Sequence, residues 1–178
     1  MTGGNGAAAF PPGLLERAAR VRLLLTDVDG CWTDGGVTVH ADGSESVTFH
    51  IHDGFGVVEL LKTGVEIALI SGRETEAVRH RARRLGVDLV HLGVRDKSAI
   101  AERLISARGL APEQVLAFGD DLPDLPMFER AGLRAAPPGA MPEIRARADW
   151  ITRAAGGAGA LREICDLLLA ARGAAARA

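Results

Sequence analysis

The stretch Leu23-Leu24-Leu25-Thr26-Asp27-Val28-Asp29-Gly30 decides the fold. Its apolar run is nearly continuous, which is the pattern of a strand covered on both faces in a parallel sheet. The run ends in two carboxylates spaced i, i+2, and a glycine follows at once. Open α/β sheets bind ligands at the carboxyl ends of their strands, so Asp27 and Asp29 fall where chemistry is expected. Gly30 permits a sharp turn there. Taken alone, the same residues also describe a strand-end turn with two capping aspartates. The rest of the chain decides between the two readings.

Outward from this strand, strand-like and helix-like segments alternate, which predicts an α/β fold with a parallel sheet flanked by helices. The first strand covers Val21 to Asp27. Two short alternating segments, Gly36 to His40 and Ser46 to His50, flank an Asp42-Gly43 turn signal and predict a small β-hairpin after that strand. Further strands are predicted over Val65 to Ile70, Val87 to His91, Val115 to Phe118, Leu133 to Ala136 and Trp150 to Thr152. Helices are predicted over Phe55 to Thr63, Glu74 to Leu85, Lys97 to Ala107, from Asp121 to about Ala131, and over Leu161 to Ala171. The last helix repeats Leu161, Ile164, Cys165, Leu168 and Leu169 along one face, which makes Cys165 a core residue. No long insertion interrupts the alternation, so no cap domain is expected.

The chain has 178 residues, of which 47% are hydrophobic and 25% charged, as in an ordinary globular domain. The expected organisation is one domain over residues 20–172, with flexible tails at 1–19 and 173–178. A formal net charge of -2 without a basic block excludes an electrostatic footprint for nucleic acid. No apolar run approaches the length of a membrane span, and the first residues lack the pattern of a signal peptide. Two widely spaced cysteines, Cys31 and Cys165, suit a reducing cytoplasm.

Four strand ends carry polar residues with distinct uses. Asp27 and Asp29 follow the first strand, and Ser71-Gly72-Arg73 follows the second long one. Lys97, one of only two lysines against nineteen arginines, opens a helix after the third. Asp120, Asp121 and Asp124 follow the fourth. Parallel neighbours bring these ends together at one edge. Such a carboxylate cluster repels itself unless a cation is present. Mg²⁺ is the natural partner, being hard, oxygen-liganded and often shared with phosphate. The Lys97 ammonium and the Ser71 hydroxyl can hold the remaining phosphate oxygens. An aspartate can act as nucleophile, and a second carboxyl two residues on can serve as acid and base. Each piece alone has an ordinary structural explanation; their order, each at a strand end, points to phosphoryl transfer.

With these motifs in place, the sequence resembles the haloacid dehalogenase superfamily of phosphatases. The matching motifs are Asp27-Val28-Asp29-Gly30, Ser71-Gly72-Arg73, Lys97 and Gly119-Asp120-Asp121-Leu122-Pro123-Asp124. It is most similar to the capless subfamily of 3-deoxy-D-manno-octulosonate 8-phosphate (Kdo 8-phosphate) phosphatases. That subfamily includes 2-keto-3-deoxynononate 9-phosphate phosphatases and the domain fused to some acylneuraminate cytidylyltransferases. Further echoes are Trp32-Thr33-Asp34-Gly35-Gly36, Asp53-Gly54 and the Gly156-Gly157-Ala158-Gly159 loop. The resemblance implies a HAD-like Rossmannoid sheet and a Mg²⁺-dependent phosphomonoesterase working through an aspartyl-phosphate. Asp27 would be nucleophile and metal ligand. Asp29 would be acid/base and would bind the metal through its carbonyl. Asp120 would be the third ligand, Ser71 and Lys97 would hold phosphate, and Asp121 and Asp124 would orient the lysine and metal-bound waters. His50, His52, Asp53, Gly54, Gly72, Arg73 and Arg81 fall in the region that contacts substrate. The resemblance also implies a homotetramer whose hairpins meet at the centre and whose neighbours cover the sites.

This chain departs from the subfamily in three places. It reads His50-Ile51-His52-Asp53-Gly54 where Asn-x-Arg-Asp-Gly is usual, and it has Val58 and Ala158 where arginines are usual. The chemistry is intact while the grip on an acidic sugar has changed, because arginine's fork suits carboxylates. The expected substrate is Kdo 8-phosphate, a related ulosonate phosphate, or another sugar or nucleoside phosphate. The competing class is a non-catalytic oligomerisation module associated with a cytidylyltransferase. His50 and His52 are expected on one face of a strand.

Overall fold

The computed structural model describes residues 10–11 and 13–175. Its strands are β1 (Leu23–Thr26), β2 (Thr38–Val39), β3 (Glu45–Ser46), β4 (Glu66–Ile70), β5 (Leu89–His91), β6 (Val115–Phe118), β7 (Leu133–Ala136) and β8 (Trp150–Ile151). The α-helices are α1 (Leu14–Ala18), α2 (Ile51–Leu61), α3 (Glu76–Leu85), α4 (Lys97–Ser106), α5 (Leu125–Arg130), α6 (Pro142–Arg147) and α7 (Ala160–Ala175). Six strands form one sheet in the order β5-β4-β1-β6-β7-β8, and every neighbouring pair is parallel. The hairpin β2-β3 is antiparallel and stands apart from that sheet.

The continuity of the β1 run follows from its central place. Leu24 joins a core with Val57, Leu60, Leu161, Ile164 and Leu168, which belong to α2 and α7. Leu23 and Leu25 face the other way, into a core with Ala101 and Leu104 of α4 and with Met127 and Phe128. Alternate residues thus feed opposite layers, so every position must be apolar. From β1 the chain moves outward to β4 and β5, then crosses to β6 on the other flank. Strand order reverses there, and the carboxyl ends of β1 and β6 flank the crevice that such a reversal opens.

Several elements differ from the sequence expectations. Residues 14–18, expected within a flexible tail, form α1, and its Leu14 and Ala18 are buried in the core shared with α7. The tails expected at residues 1–9, 12 and 176–178 lie outside the described residues, and α7 runs on to Ala175. Helix α6 has no strong periodic signal and shows only at its start, where Pro142 suits a first helical turn. The second hairpin strand is confined to Glu45–Ser46, and α2 starts at Ile51 rather than Phe55. Alternation over Ser46 to His50 does not persist as a strand, because β3 has a partner only over the two residues of β2. His50 is therefore the N-cap of α2 and His52 lies in its first turn, not on one face of a strand.

Candidate active site

The register of the sheet sets the floor of the site. Thr26 lies opposite Leu69 on one side and Phe118 on the other. The next residue, Asp27, donates its N–H to Phe118 O at 2.9 Å, which holds it against the end of β6. Asp27 is 7% exposed, Lys97 6% and Asp124 1%. Lys97 occupies the first turn of α4, where a helix dipole disfavours a cation. It is compensated by carboxylates: its Nζ donates to Asp27 Oδ1, and to Asp124 Oδ1 at 2.6 Å. Asp96 caps the same helix, accepting from Ser98 N at 2.9 Å. The second oxygen of Asp124 accepts from the backbone N–H of Asp120 at 2.9 Å and of Asp121 at 3.2 Å. Asp124 thereby ties the lysine to the loop after β6.

The floor carries more negative charge than one ammonium offsets. Burial first, and then the Asp124 charge, raise the Asp27 carboxyl from 3.8 to about 7. Burial and the charges of Asp124 and Asp121 raise Asp120 likewise to about 7. Burial works against the Lys97 charge, but Asp27 and Asp124 together outweigh it and raise its pKa. Donor oxygens of Asp27 and Asp120 lie within 4.8 Å of each other. Two hard oxygen donors, close together and reluctant to ionise without a counter-charge, fit a small divalent cation such as Mg²⁺.

Above the floor is a cavity of about 340 Å³ lined by Asp27, Asp29, Gly35, Arg73, Lys97, Asp120, Asp121, Pro123 and Asp124. Gly30 makes this geometry possible. Its φ is +81°, and a Cβ there would lie 2.0 Å from Asp120 Oδ2. Gly156 is equally constrained from the other side, because a Cβ would lie 1.7 Å from Gly30 O. The glycine loop before α7 thus braces the turn that follows β1.

The predicted site residues fall into three groups. Asp27, Asp29, Lys97, Asp120, Asp121, Asp124 and Arg73 share the cavity. Ser71 is buried at the end of β4 and its Oγ accepts from Arg73 N at 3.1 Å, with Gly72 between them. His50, His52, Asp53, Gly54 and Arg81 gather instead around the start of α2, outside that lining. Arg81 Nη2 donates to His50 O at 3.3 Å, and Gly54 leaves room for it, since a Cβ would approach Nη2 to 2.3 Å. The His50 and His52 rings meet edge to face at 4.9 Å. Asp53 is 2% exposed and accepts from Arg162 N at 2.7 Å, so in this chain it caps the start of α7.

Two residues near the site carry no sequence signal strong enough to single them out. Glu45, in the hairpin, accepts from Arg73 Nη2 at 2.6 Å, while Arg73 Nη1 donates to Asp29 Oδ1 at 2.8 Å. One guanidinium therefore links the hairpin to the second aspartate of the β1 motif. Cys31 is the other: its Sγ lies 3.9 Å from Asp120 Oδ1. Only its position two residues after Asp29 could have drawn attention to it.

A family model of haloacid dehalogenase-like hydrolases matches residues 86–164. The 3-deoxy-D-manno-octulosonate 8-phosphate phosphatase of Escherichia coli K12 is 40% identical over 160 residues, covering 90% of this chain and 85% of that protein. The Moraxella catarrhalis enzyme of the same name, solved in complex with magnesium ion, phosphate ion and KDO, superposes with a TM-score of 0.87 at 34% identity. That match covers 90% of this chain and 92% of the other. The cobalt-bound Haemophilus influenzae phosphatase superposes with a TM-score of 0.84 at 34% identity, covering 88% of this chain and 92% of the other. The chain belongs to the Kdo 8-phosphate phosphatase family of haloacid dehalogenase-like hydrolases, and it is a phosphatase. Among the described residues no helix is long and apolar enough to cross a membrane.

Proposed function

We propose that the chain is a Mg²⁺-dependent phosphomonoesterase that hydrolyses Kdo 8-phosphate or a related phosphorylated sugar acid through an aspartyl-phosphate intermediate. The observation that carries this reading is the placing of Asp27 at the cavity floor, between the Lys97 ammonium and the Asp120 carboxylate. Asp27 and Asp120, with the Asp29 carbonyl, would hold the metal. When bound, the metal neutralises charge on the carboxylates and the phosphoryl oxygens. The Asp27 carboxylate attacks phosphorus and the ester oxygen leaves. Asp29 gives that oxygen a proton, and the same carboxylate then takes a proton from the water that splits the aspartyl-phosphate. Lys97 and Ser71 hold the non-bridging oxygens, and Asp124 keeps the lysine aimed at them.

The remaining specificity group supports a reading in which the site is completed by a second copy. The cluster at the start of α2 does not line the chain's own cavity, and it stands beside exposed Ile51 and Phe55. Val39 on the hairpin is exposed as well. A homotetramer, acting in the cytoplasm, would place a neighbour over each open site. Basic groups on the sugar side favour an acidic substrate, though His52, Val58 and Ala158 supply less positive charge than three arginines would. Incubation with p-nitrophenyl phosphate and a panel of phosphorylated sugar acids tests the reading. Mg²⁺-dependent phosphate release that Asp27→Asn abolishes is the expected result. Release that persists in this variant would overturn the assignment of the nucleophile.

A further inference from the structure

We propose that Cys31 gives the Asp27–Asp120 cation site a sulfur donor, so that the site binds thiophilic divalent ions such as Co²⁺, Zn²⁺ and Cd²⁺ through a thiolate bond that Mg²⁺ does not form. The inference rests on the reading of Asp27 and Asp120 as cation ligands. Three donor atoms, one each from Asp27, Cys31 and Asp120, all lie within 4.8 Å of one another. Donors sharing one tetrahedral ion, with metal–sulfur bonds of about 2.3 Å and metal–oxygen bonds of about 2.0–2.2 Å, stand roughly 3.5 Å apart. The observed spacing closes to that value with side-chain shifts of about 1 Å or less, within ordinary rotamer adjustment.

The backbone holds the sulfur in place. Cys31 N donates to Val28 O at 3.2 Å, and Cys31 O accepts from Gly157 N at 3.3 Å. The residue is fully buried, in the turn that Gly30 folds against Asp120. In the protein without a metal, Cys31 Sγ–H is a weak donor toward Asp120 Oδ1 at 3.9 Å. Binding of a thiophilic ion exchanges that proton for a metal–sulfur bond: Cys31–SH and M²⁺ give the metal thiolate and one proton released to solvent. Mg²⁺ lacks the affinity for sulfur to drive this exchange, whereas thiolate ligands select softer ions. Thiophilic ions would therefore compete with Mg²⁺ for one location with an extra bond in their favour.

Full-length protein freed of metal and titrated with Co²⁺ tests the proposal without turnover. A near-ultraviolet thiolate-to-cobalt charge-transfer band should grow to one equivalent and bleach under excess Mg²⁺. Cys31→Ser and Cys31→Val should abolish the band, while Cys165→Ala, which alters the thiol packed beside Gly56, should keep it. Co²⁺ affinity should fall in Cys31→Ser by at least the roughly tenfold that loss of even an outer-shell partner costs. X-ray absorption of cobalt in the wild-type protein supplies a reading that needs no variant to fold, a sulfur scatterer at about 2.3 Å being expected. Co²⁺ bound with oxygen or nitrogen scatterers alone would overturn the proposal and leave the phosphatase reading standing. Co²⁺ and Mg²⁺ both failing to bind would overturn the metal reading itself, and this inference with it.

Discussion

At the cavity floor Asp27, Lys97 and Asp124 are almost fully buried, and each is bonded to another of the three. At the start of α2, Ile51 is 73% and Phe55 58% exposed, while His50 Nδ1 has no hydrogen-bond partner among the described residues. The first region is over-determined: moving any one member strands a buried charge. The second is under-determined within a single chain: its apolar side chains are exposed, and a buried ring nitrogen is left without a partner among the described residues. The difference separates two jobs. Chemistry common to all phosphate esters is fixed by the sheet, and choice of the rest of the substrate is left to a surface that the fold does not itself complete.

The sharpest way to break this comparison is at the floor. Asp27→Asn should lower phosphate release by roughly 10⁴-fold or more, as loss of a covalent nucleophile does. Its fold should survive, because the amide keeps the shape and an oxygen acceptor for Lys97, which also retains the Asp124 carboxylate. Next in size is Asp124→Ala, which removes one of two partners of a buried ammonium and an acceptor for two backbone N–H groups. Urea unfolding should show a loss of about 3 kcal/mol, the low end for a broken buried pair, because Lys97 retains Asp27. A small loss in Asp124→Ala would mean that the floor is far less rigid than its bonding indicates.

A third test uses pH. Asp27 and Asp120 titrate near 7 in the folded protein against 3.8 for an ordinary aspartate. The folded state thus holds protons that the unfolded chain has released. Metal-free protein should lose stability as pH rises from about 4 to about 7, the reverse of a salt-bridged carboxylate. Mg²⁺ needs the ionised forms, so the rise in melting temperature that it causes should be larger at pH 8 than at pH 5.5. Scanning calorimetry at both values checks this, and an equal rise at both would contradict the proton competition. The smallest effect is expected at the second region. His52→Arg should raise kcat/KM for a sugar-acid phosphate more than for p-nitrophenyl phosphate, by a few-fold, as a partly exposed charge contact allows. Equal changes for both substrates would erase the division between floor and rim.

The ability to read these regions from sequence follows the same division. Asp27, Lys97, Asp120 and Asp124 were recognisable because they follow one another in order at strand ends or a helix start, although each alone has an ordinary structural explanation. Cys31 and Glu45 were not, since nothing in a turn residue or a hairpin acid tells which strand end it will meet. The α2 boundary was misplaced because alternation in Phe49-His50-Ile51-His52 mimics a strand when no pairing partner can be seen. Helix α1 was hidden in a Gly/Ala-rich tail, and only its packing on α7 defines it.

By itself, the sequence determined the parallel sheet, its central strand and the identity of the polar residues at its edge. These depend on short-range patterns: an apolar run buried on both faces, periodicity, and the few residues able to end a strand in charge. Only the tertiary structure decided which donors lie within reach of one ion, that Gly30 and Gly156 are kept small by the approach of Asp120 and of Gly30's own carbonyl, and that Asp53 caps a distant helix. Those facts depend on contacts between residues up to 126 positions apart in the chain, Gly30 and Gly156 among them. Local pattern carries no information about such distances, because the crossings of the strands set them.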